Sequence, residues 1–332
     1  MTTKQNILIT GGAGYVGGTV ARLLLAEGHA VTIVDNFIHS KREALPPDAT
    51  FIEADIADAT AMTLALSAEK FDGILHFAAL IEAGESMKDP GLYFRANTVA
   101  TLALLEAVVA TGTQNLVFSS TAAVYGEPEF TPIVETARLA PTNAYGESKL
   151  LVEQMLAWFH RIHGLRYAAL RYFNVAGAID GYGEAHEPES HLIPIILDVA
   201  LGRRPSISIY GDDYSTPDGT CIRDYIHVED LARAHVLALT ALHSHPPQPL
   251  LYNLGNGRGF SVREVIEAAR RVTGHAIPVE QHPRRPGDPA ILVASSEKAQ
   301  QQLEWRPEHA TLDDILASAW IWHQQLHKRL PG

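Results

Sequence analysis

The first half of the chain alternates between short apolar runs and longer stretches in which apolar residues recur at helical spacing. The apolar runs predict β-strands at Asn6–Thr10, Ala30–Asp35, Gly73–Phe77, Asn115–Ser119 and Tyr167–Phe173. The helical spacing predicts helices near Tyr15–Glu27, Ala96–Thr111 and Ala144–His163. Because strands that alternate with helices form a parallel sheet with helices on both faces, we predict an α/β fold with a doubly wound parallel sheet.

The pattern changes after Gly177, because residues 177–190 are rich in Gly, Glu and Pro and predict a loop. Helical spacing returns near Val262–Thr273 and Leu312–His323. We expect the later segments to form a smaller mixed α/β lobe over the carboxyl edge of the sheet, with a ligand cleft between the lobes. The expected boundaries are 1–176 for the sheet domain, 224–252 returning to that domain, and 177–223 with 253–332 for the smaller lobe.

Closely spaced glycines follow the first predicted strand in Gly11-Gly-Ala-Gly14-Tyr-Val-Gly17, and a helical pattern follows the glycines. Glycine permits a tight turn and a close approach of the backbone to a pyrophosphate, and the first N–H groups of a helix bind that anion. This order predicts a dinucleotide site in a Rossmann domain. Two alternatives are less favoured: a glycine turn without a ligand, because a second strand follows, and a P-loop, because no Gly-Lys-Ser/Thr closes the motif.

Asp35 ends the second predicted strand and follows Gly17 at about the offset expected for a ribose-binding carboxylate. Such a carboxylate accepts hydrogen bonds from the adenosine ribose and repels a 2′-phosphate. No arginine follows at once to bind that phosphate. The predicted cofactor is therefore NAD rather than NADP.

Tyr145 and Lys149 lie four residues apart on a predicted helix, so both side chains share one face. An ammonium favours a neighbouring phenolate, and we therefore predict that Lys149 lowers the pKa of Tyr145 toward neutrality. A tyrosine poised in this way can exchange a proton with a sugar hydroxyl. The spacing alone is also typical of a solvated helix face, and it gains weight from the dinucleotide site that precedes it.

Net charge, cysteine content and the length of apolar runs limit the partners and the location to be expected for this chain. The 332 residues carry a formal net charge of −12, which disfavours a polyanion such as nucleic acid. The single cysteine, Cys221, excludes an internal disulfide and fits a reducing compartment. No run approaches 18 apolar residues and the N-terminus predicts a strand, so we expect a soluble cytoplasmic protein without a membrane span.

The 16 histidines raise the question of a metal site. The chain has no His-Glu-x-x-His motif and no cysteine pair, which are the local signatures of common metal centres. We therefore expect the histidines to be packing or surface residues and predict no metal.

The glycine motif, Asp35-Asn36 and Tyr145-x-x-x-Lys149 together resemble the extended short-chain dehydrogenases. Further stretches narrow the resemblance to the UDP-glucose 4-epimerases over essentially the whole chain. They are Gly84-Glu-Ser-Met, Ser119-Ser-Thr-Ala-Ala-Val-Tyr-Gly126, Arg171-Tyr-Phe-Asn174, His191-Leu-Ile-Pro194, Arg285-Pro-Gly-Asp288, Trp305-Arg-Pro307 and, most specific, Tyr210-Gly-Asp-Asp-Tyr-Ser-Thr-Pro-Asp-Gly-Thr-Cys-Ile-Arg-Asp-Tyr-Ile-His-Val-Glu-Asp230.

The resemblance implies an enzyme that interconverts UDP-galactose and UDP-glucose with tightly held NAD. Tyr145 would remove the proton of the sugar 4-hydroxyl while hydride passes to the nicotinamide. The 4-keto sugar would then turn so that its other face meets the nicotinamide, and the hydride would return to carbon 4 with inverted configuration. Thr121 would hydrogen-bond the 4-oxygen, and Lys149 would bind the nicotinamide ribose. The family is usually homodimeric through the two helices predicted at Ala96–Thr111 and Ala144–His163.

The resemblance also implies binding residues. For NAD they are Gly11, Gly14, Tyr15, Val16, Gly17, Asp35, Asn36, Ser40, Asp55, Ile56, Phe77, Ala78, Ala79, Asn97, Ser119, Tyr145, Lys149 and Phe173. For the UDP-sugar they are Thr121, Asn174, His191, Leu192, Tyr210, Arg223, Arg285, Asp288 and Leu292. Arg223 and Arg285 would bind the diphosphate, because a guanidinium can hold two phosphate oxygens at once.

The chain departs from the family pattern at four of its positions. Ile81 stands where some members carry a lysine that contacts the cofactor, so NAD retention could be weaker. Ala79 replaces a glycine, and His191 replaces an asparagine. Leu292 stands where some members have a bulky tyrosine beside the sugar, and a smaller residue there is associated with N-acetylated sugars. Turnover of UDP-N-acetylglucosamine and UDP-N-acetylgalactosamine is therefore a hypothesis.

Other chemistries remain open within the resemblance. Dehydratases of this fold need an extra acid and base after the Ser/Thr, and Ala122 and Ala123 occupy those positions. Decarboxylating relatives usually carry a glutamate nearby, and a net reductase would prefer NADP, which Asp35 disfavours. Non-catalytic dinucleotide sensors often lose the Tyr or the Lys, and this chain keeps both.

Overall fold

The computed structural model describes residues 4–244, 248–285 and 288–329. Within them the strands are β1 (Asn6–Thr10), β2 (Ala30–Asp35), β3 (Thr50–Glu53), β4 (Gly73–His76), β5 (Asn115–Thr121), β6 (Arg166–Tyr172), β7 (Asn174–Ala176), β8 (Ala178–Ile179), β9 (Tyr182–Gly183), β10 (Ile207–Tyr210), β11 (Ile222–His227), β12 (Leu250–Leu254), β13 (Gly259–Ser261), β14 (Val279–His282) and β15 (Ile291–Leu292). The α-helices are α1 (Tyr15–Ala26), α2 (Ala59–Ser67), α3 (Ala83–Ser86), α4 (Pro90–Tyr93), α5 (Ala100–Thr111), α6 (Ala144–His163), α7 (Leu192–Ala200), α8 (Val228–Ser244), α9 (Val262–Thr273), α10 (Glu297–Gln302) and α11 (Leu312–Arg329). Pro286 and Gly287 of a family motif, and the predicted domain ends at 1–3 and 330–332, lie outside the described residues.

Seven of the described strands form one sheet in the order β12-β6-β5-β4-β1-β2-β3, with every neighbouring pair parallel. Successive side chains of a strand point to opposite faces, yet Ile7, Leu8 and Ile9 of β1 are all fully buried. Ile7 and Ile9 pack in one cluster with residues of α1 and α8, and Leu8 packs in another with residues of α2, α5 and α6. Both faces are therefore covered by helices, and the predicted doubly wound α/β fold is confirmed.

The bounds of β1, β2, α6 and α9 are the predicted ones. Elsewhere the limits differ: α1 ends at Ala26, β4 at His76 and β5 at Thr121, β6 is Arg166–Tyr172, and α11 continues to Arg329. The predicted helix 96–111 begins with a π-helical turn at Phe94–Val99, and only its later part is α-helical.

The sequence patterns missed several elements of the sheet domain, including β3, β12, α2 and α8. Strand β3 lies at the sheet edge, where Phe51 is 43% exposed, so it lacks the continuous apolar run of a buried strand. Strand β12 pairs with β6 although about eighty residues separate them along the chain, and local periodicity carries no information on such a pairing.

The other strands lie outside the main sheet. Strand β11 pairs with β7, β13 and β15, β10 pairs with β14, and β8 pairs with β9. A separate apolar cluster lies between α7, α9 and α11 and includes Ile196, Val265 and Leu316. The main sheet and the remaining strands thus have separate cores, and β7 follows β6 directly at the point where the chain leaves the sheet.

The helical segment Pro90–Thr111 is long and apolar enough to cross a membrane by length and composition alone, although the sequence analysis expected no such run. The most apolar part of the segment is 44% buried. Leu104, Leu105 and Val108 pack there with Met62 of α2 and residues of the sheet. A helix that packs against a protein core in this way meets the same test, so the segment is weak evidence for a membrane span.

Arg171 on β6 and Glu153 on α6 form a buried ion pair that joins helix to sheet. Their side chains are 2% and 6% exposed, and the guanidinium donates to the carboxylate through Nε at 3.0 Å and Nη2 at 2.6 Å. Arg171 also donates to the Tyr125 hydroxyl at 2.9 Å, which donates to Asn253 of β12 at 2.6 Å. The network is satisfied as a unit, so loss of one member leaves the others buried without a partner.

Replacing Arg171 with Met should destabilise the protein by about 3–5 kcal/mol, because the Glu153 carboxylate would remain buried without its counter-ion. Urea unfolding of the purified variant measures the change. The control is Arg233→Met, which removes a half-exposed pair with Glu229 and should cost less than about 1 kcal/mol. Equal losses in the two variants would contradict a special role for the buried pair.

Candidate active site

The glycine turn between β1 and α1 brings backbone segments closer than any side chain would allow. Gly11 has a φ of 73°, and a Cβ on Gly11 would lie 2.5 Å from Ala78 N. A Cβ on Gly17 would lie 2.4 Å from Gly11 O. In the fully described helix α1, the N-cap Gly14 makes no side-chain hydrogen bond and the first turn, from Tyr15, holds no acidic residue. The start of α1, with Val16 and Gly17, therefore fits a pyrophosphate.

Asp35 at the end of β2 holds this turn in place. Its Oδ2 accepts a hydrogen bond from Ala13 N at 3.0 Å, and its Oδ1 accepts bonds from Phe37 N and Ser40 Oγ at 2.9 Å. A carboxylate has about four acceptor positions, so one remains for a ribose hydroxyl. The structure fits NAD here, with Asp35 at the position predicted for the adenosine ribose.

Asn36 and the residues after β3 form the neighbouring wall. Asn36 Nδ2 donates to Asp55 Oδ2 at 3.0 Å, and Asp55 Oδ1 accepts from Ala57 N at 2.8 Å. Ile56 is buried in the cluster below α2. The predicted adenosine residues are thus brought together at the carboxyl ends of β2 and β3.

The segment after β4 closes the next part of the cleft. The backbone N–H groups of Phe77 and Ala78 both donate to Thr10 O, and Ala79 follows them. Asn97 lies in the π-helical turn, where its Oδ1 accepts from Leu80 N at 2.8 Å and its Nδ2 donates to Leu80 O and Ser148 Oγ, both at 3.0 Å. Asn97 therefore holds the loop after Ala79 in place, with both of its amide donors already used by the protein.

Tyr145 and Lys149 lie in the first two turns of α6, which the N-cap Asn143 stabilises by accepting a backbone N–H at 2.8 Å. Lys149 is only 3% exposed, and its Nζ donates to Ser119 O at 3.0 Å. The side chain of Thr121 hydrogen-bonds the Tyr145 phenol. The three predicted catalytic residues therefore lie together at the carboxyl end of β5.

The predicted effect of Lys149 on Tyr145 is wrong for this structure. Burial raises the pKa of Tyr145 well above its usual value, the Tyr172 phenol adds to the rise, and the hydrogen bond from Thr121 lowers it in part. Burial also lowers the pKa of Lys149 to about 7. Both charged forms are disfavoured because both groups are removed from water, and the ammonium donates to a carbonyl instead of the phenol.

Most of the predicted substrate residues gather around β11 and β15. Arg223 lies opposite Leu292 in the strand pair, and its Nη2 forms a short hydrogen bond to Asp288 Oδ1. The guanidinium of Arg285 lies over the Tyr210 ring, 4.0 Å from its centre. Each of the two predicted diphosphate arginines is thus held by an acidic or aromatic neighbour.

The remaining predicted substrate and cofactor residues occupy nearby segments. Asn174 starts β7 and pairs with β11, two positions along that strand from Arg223. Phe173 is buried in a small cluster that contains Leu150 of α6 and, at its border, Leu292. Phe173 thus connects the helix that carries the catalytic pair to the strand that carries the predicted sugar contact.

His191 is the N-cap of α7 and lies on a cleft wall that includes Tyr15 and Glu184, and Leu192 is the first residue of that helix. His191 Nδ1 lies 2.8 Å from Glu189 Oε1. Burial alone would lower the pKa of His191, but Glu189 and Glu184 raise it to about 9. His191 therefore brings a positive charge to the cleft at neutral pH.

Sequence reasoning missed two tyrosines of the site. The Tyr182 hydroxyl donates to Gly14 O at 2.9 Å, and the Arg22 guanidinium covers its ring. Tyr172 hydrogen-bonds Ser119 and raises the pKa of Tyr145. Tyr172 lies inside the family motif Arg171-Tyr-Phe-Asn174, whereas no local signal marked Tyr182, which reaches α1 from the distant strand β9.

The comparisons with known proteins agree with this geometry. A family model described as the NAD dependent epimerase/dehydratase family matches residues 7–255. The UDP-glucose 4-epimerase of Corynebacterium glutamicum is 51% identical over 325 residues, which cover 98% of each chain. The UDP-glucose 4-epimerase from Bifidobacterium longum, solved in complex with NAD+ and UDP, has a TM-score of 0.92 at 38% identity and covers 98% of this chain and 100% of that chain. The UDP-Glc/GlcNAc 4-epimerase from Campylobacter jejuni has a TM-score of 0.85 at 41% identity, with 97% and 99% covered.

The chain therefore belongs to the NAD-dependent epimerase/dehydratase family, as the resemblance of its motifs implied. It is an enzyme of that family, and its cofactor is NAD, which confirms the prediction from the glycine motif and Asp35.

Replacing Lys149 with Met should remove a pH-dependent penalty on the stability of the NAD-free protein. The pKa of Lys149 is about 7 in the fold and about 10.4 in an unfolded chain, so between these values the unfolded chain binds one more proton. The penalty is full below pH 7 and is relieved as pH rises, at about 1.4 kcal/mol per pH unit. Urea unfolding at several pH values above 7 should show this slope in the wild type and its loss in Lys149→Met.

The matched control for this experiment is Lys88→Met, because Lys88 is an exposed lysine outside the cleft. The stability of the Lys88→Met variant should depend on pH as that of the wild type does. An identical slope in wild type and Lys149→Met would show that the ammonium is not desolvated in the fold.

Proposed function

We propose that the protein interconverts UDP-galactose and UDP-glucose by inverting carbon 4 of the sugar, with NAD retained in the site. The observation that carries the proposal is the grouping of Thr121, Tyr145 and Lys149 beside the glycine turn, at the carboxyl edge of the sheet. The relatives from Corynebacterium and Bifidobacterium, which bear the name UDP-glucose 4-epimerase, support this substrate.

The Tyr145 phenol is the proposed proton acceptor and donor for the 4-hydroxyl, and Thr121 is placed to share that hydrogen bond. When bound, NAD supplies the hydride acceptor and the positive charge of the oxidised nicotinamide. That charge would counter the effect of burial on Tyr145, because a nearby cation stabilises a phenolate. Lys149, already fixed by Ser119 O, would orient the nicotinamide ribose.

Arg223 and Arg285 are the proposed diphosphate ligands. The Arg223 side chain is 13% exposed, and the Arg285 guanidinium lies over the Tyr210 ring, so both guanidiniums are partly ordered before the substrate binds. Asn174, His191, Leu192 and Asp288 would surround the uridine. Such an arrangement would hold the nucleotide tightly. The nucleotide has to stay bound in this way while the 4-keto sugar rotates.

A dehydratase is the less favoured alternative, as the sequence already indicated. The positions after Thr121 are occupied by Ala122 and Ala123, in a short 3₁₀ turn, and neither side chain can transfer a proton. Elimination of water would need an acid and a base at that point.

We also propose that the protein is a homodimer that pairs through the π-turn–α5 segment and α6. Four large apolar side chains on these helices are exposed: Val99 (57%), Leu102 (37%), Trp158 (60%) and Ile162 (68%). The two helices that carry these side chains contact each other, and exposed apolar side chains on neighbouring helices are typical of an interaction site. A second copy of the same face would be self-complementary about a two-fold axis.

Leu292 supports turnover of N-acetylated sugars as a second substrate class. It is half-buried opposite Arg223, and a leucine leaves more room there than the tyrosine of some relatives. The Campylobacter relative is named for action on both glucose and N-acetylglucosamine nucleotides, which supports the same class here.

Replacing Tyr145 with Phe should lower kcat for UDP-galactose by about 10²–10⁴-fold, because the proton acceptor is lost while the binding residues remain. NMR would follow formation of UDP-glucose without added cofactor, and calorimetry would show unchanged UDP binding. The control Tyr252→Phe removes a phenol on β12 that donates to Gln302, and it should keep wild-type turnover. If the wild type leaves UDP-galactose unchanged even with added NAD, the proposed function is wrong.

Replacing Val99 and Trp158 together with Arg should convert the dimer into a monomer, because two charges would be buried in the proposed interface. Sedimentation equilibrium should show the mass halved. Leu64→Arg on α2 is the control, because Leu64 is equally exposed at 67% but lies on another helix. A wild-type protein that sediments as a monomer would defeat the proposal.

Replacing Leu292 with Tyr should lower kcat/KM for UDP-N-acetylglucosamine by about 10–200-fold, the range that a changed pocket volume produces. Turnover of UDP-glucose should change only a few-fold, and Leu292→Met, of similar volume, should behave like the wild type. Undetectable turnover of the N-acetylated sugar by wild-type protein at high concentration would contradict this second substrate class.

A further inference from the structure

Two histidines and an aspartate meet between α7 and α11, outside the described catalytic group. His323 and His327 are four residues apart on α11, so their side chains share one face. Their Nε2 atoms lie 3.0 Å and 3.5 Å from the same oxygen, Asp198 Oδ1 on α7. One ligand atom from each of the three residues lies within 4.8 Å of the other two.

These distances suit a tetrahedral metal ion. With metal–nitrogen and metal–oxygen bonds of about 2.0–2.2 Å, neighbouring ligand atoms of a tetrahedron lie about 3.3–3.5 Å apart. The observed spacings of 3.0 Å and 3.5 Å bracket that value. Three protein ligands leave a fourth position for water, as in many zinc sites.

The state of the imidazoles also fits a metal. The side chains of His323 and His327 are 8% and 16% exposed, and His327 Nδ1 is buried without a hydrogen-bond partner among the described residues. Two imidazoles and a carboxylate are donor types that zinc takes in proteins. Neutral imidazole is the form that binds a metal.

In a second histidine group of the chain, one histidine already has both ring nitrogens bonded to other residues. His227, Glu229 and His309 also lie within 4.8 Å of one another. However, His227 Nε2 bonds Ser318 Oγ at 2.9 Å and His227 Nδ1 accepts from Glu229 N at 3.1 Å. Both ring nitrogens of His227 are therefore in use, which makes this group a natural control.

We propose that Asp198, His323 and His327 form a binding site for a divalent transition-metal ion, with Zn²⁺ as the expected ion, that ties α7 to α11. The sequence analysis predicted no metal because it searched for ligands within one segment, whereas here they come from helices more than a hundred residues apart. Helix α7 begins at Leu192, directly after its N-cap His191, so the ion would also brace the cleft wall on which His191 lies.

Two arginines compete with the ion for Asp198. Arg203 Nε lies 3.1 Å from Asp198 Oδ1, and Arg204 Nε lies 3.4 Å from Asp198 Oδ2. Both guanidiniums are close to half exposed, at 50% and 43%, so water can solvate them when they move away. Their positive charge weakens metal binding, and removal of Arg203 should therefore strengthen it.

The test uses the full chain without a histidine tag, first treated with a chelator. Calorimetry with Zn²⁺ should show one saturable site, Co²⁺ should give visible absorption of a tetrahedral complex, and saturating Zn²⁺ should raise Tm by about 3–6 °C. His327→Gln should weaken binding by at least about tenfold, because one of three ligands is lost. Arg203→Gln should tighten binding several-fold.

His309→Gln is the matched control from the second histidine group and should bind Zn²⁺ like the wild type. Circular dichroism and the metal-free Tm verify that each variant is folded. Tighter Zn²⁺ binding by Arg203→Gln would support the site, because misfolding cannot increase the affinity for the ion. The proposal is overturned if the wild type binds no ion saturably, or if His327→Gln binds with wild-type affinity.

Discussion

Burial of the Lys149 ammonium is the constraint on which the site depends. A lysine that is 3% exposed is costly in a protein interior, and here the ammonium donates a hydrogen bond to Ser119 O near the end of β5. The fold has to hold helix and strand in register for that bond to form. It does so through Asn97 and Thr98, which bond the side chain and the carbonyl of Ser148, the residue before Lys149 on α6, and through the Arg171–Glu153 pair.

The glycine turn is likewise held in shape by contacts within the protein. Asp35 binds Ala13 N and the loop after β2 through protein hydrogen bonds alone, so the turn is shaped before any dinucleotide enters. The short distances around Gly11 come from packing the turn on the segment after β4, and those around Gly17 come from packing the start of α1 on the turn itself. A preorganised turn loses less conformational freedom when the ligand binds, which favours a cofactor that stays bound.

The sequence predicted the elements whose signal is local. Strands β1 and β2 are continuous apolar runs, and α6 begins with a side-chain cap and ends at Gly164 in the left-handed conformation, so their bounds were predictable. Strand β12 was missed because its partner β6 is distant in sequence. The Tyr145–Lys149 spacing predicted a shared face, but the pKa values depend on burial by Phe118, Tyr172 and other distant residues, which a spacing cannot show.

The two arginines proposed to bind the diphosphate, Arg223 and Arg285, are held in place by contacts within the protein. A free guanidinium would collapse onto the nearest carboxylate or extend into water, and either outcome would cost affinity for a diphosphate. Arg223 is bonded to Asp288, but its five donors exceed what one carboxylate can accept, so donors remain for phosphate oxygens. Arg285 is held by the face of Tyr210, which leaves every N–H of the fork free of that contact. These contacts hold both arginines in place, and the unused donors would anchor the proposed nucleotide while the sugar would lie against Leu292 and the hydroxyls of Thr121 and Tyr145.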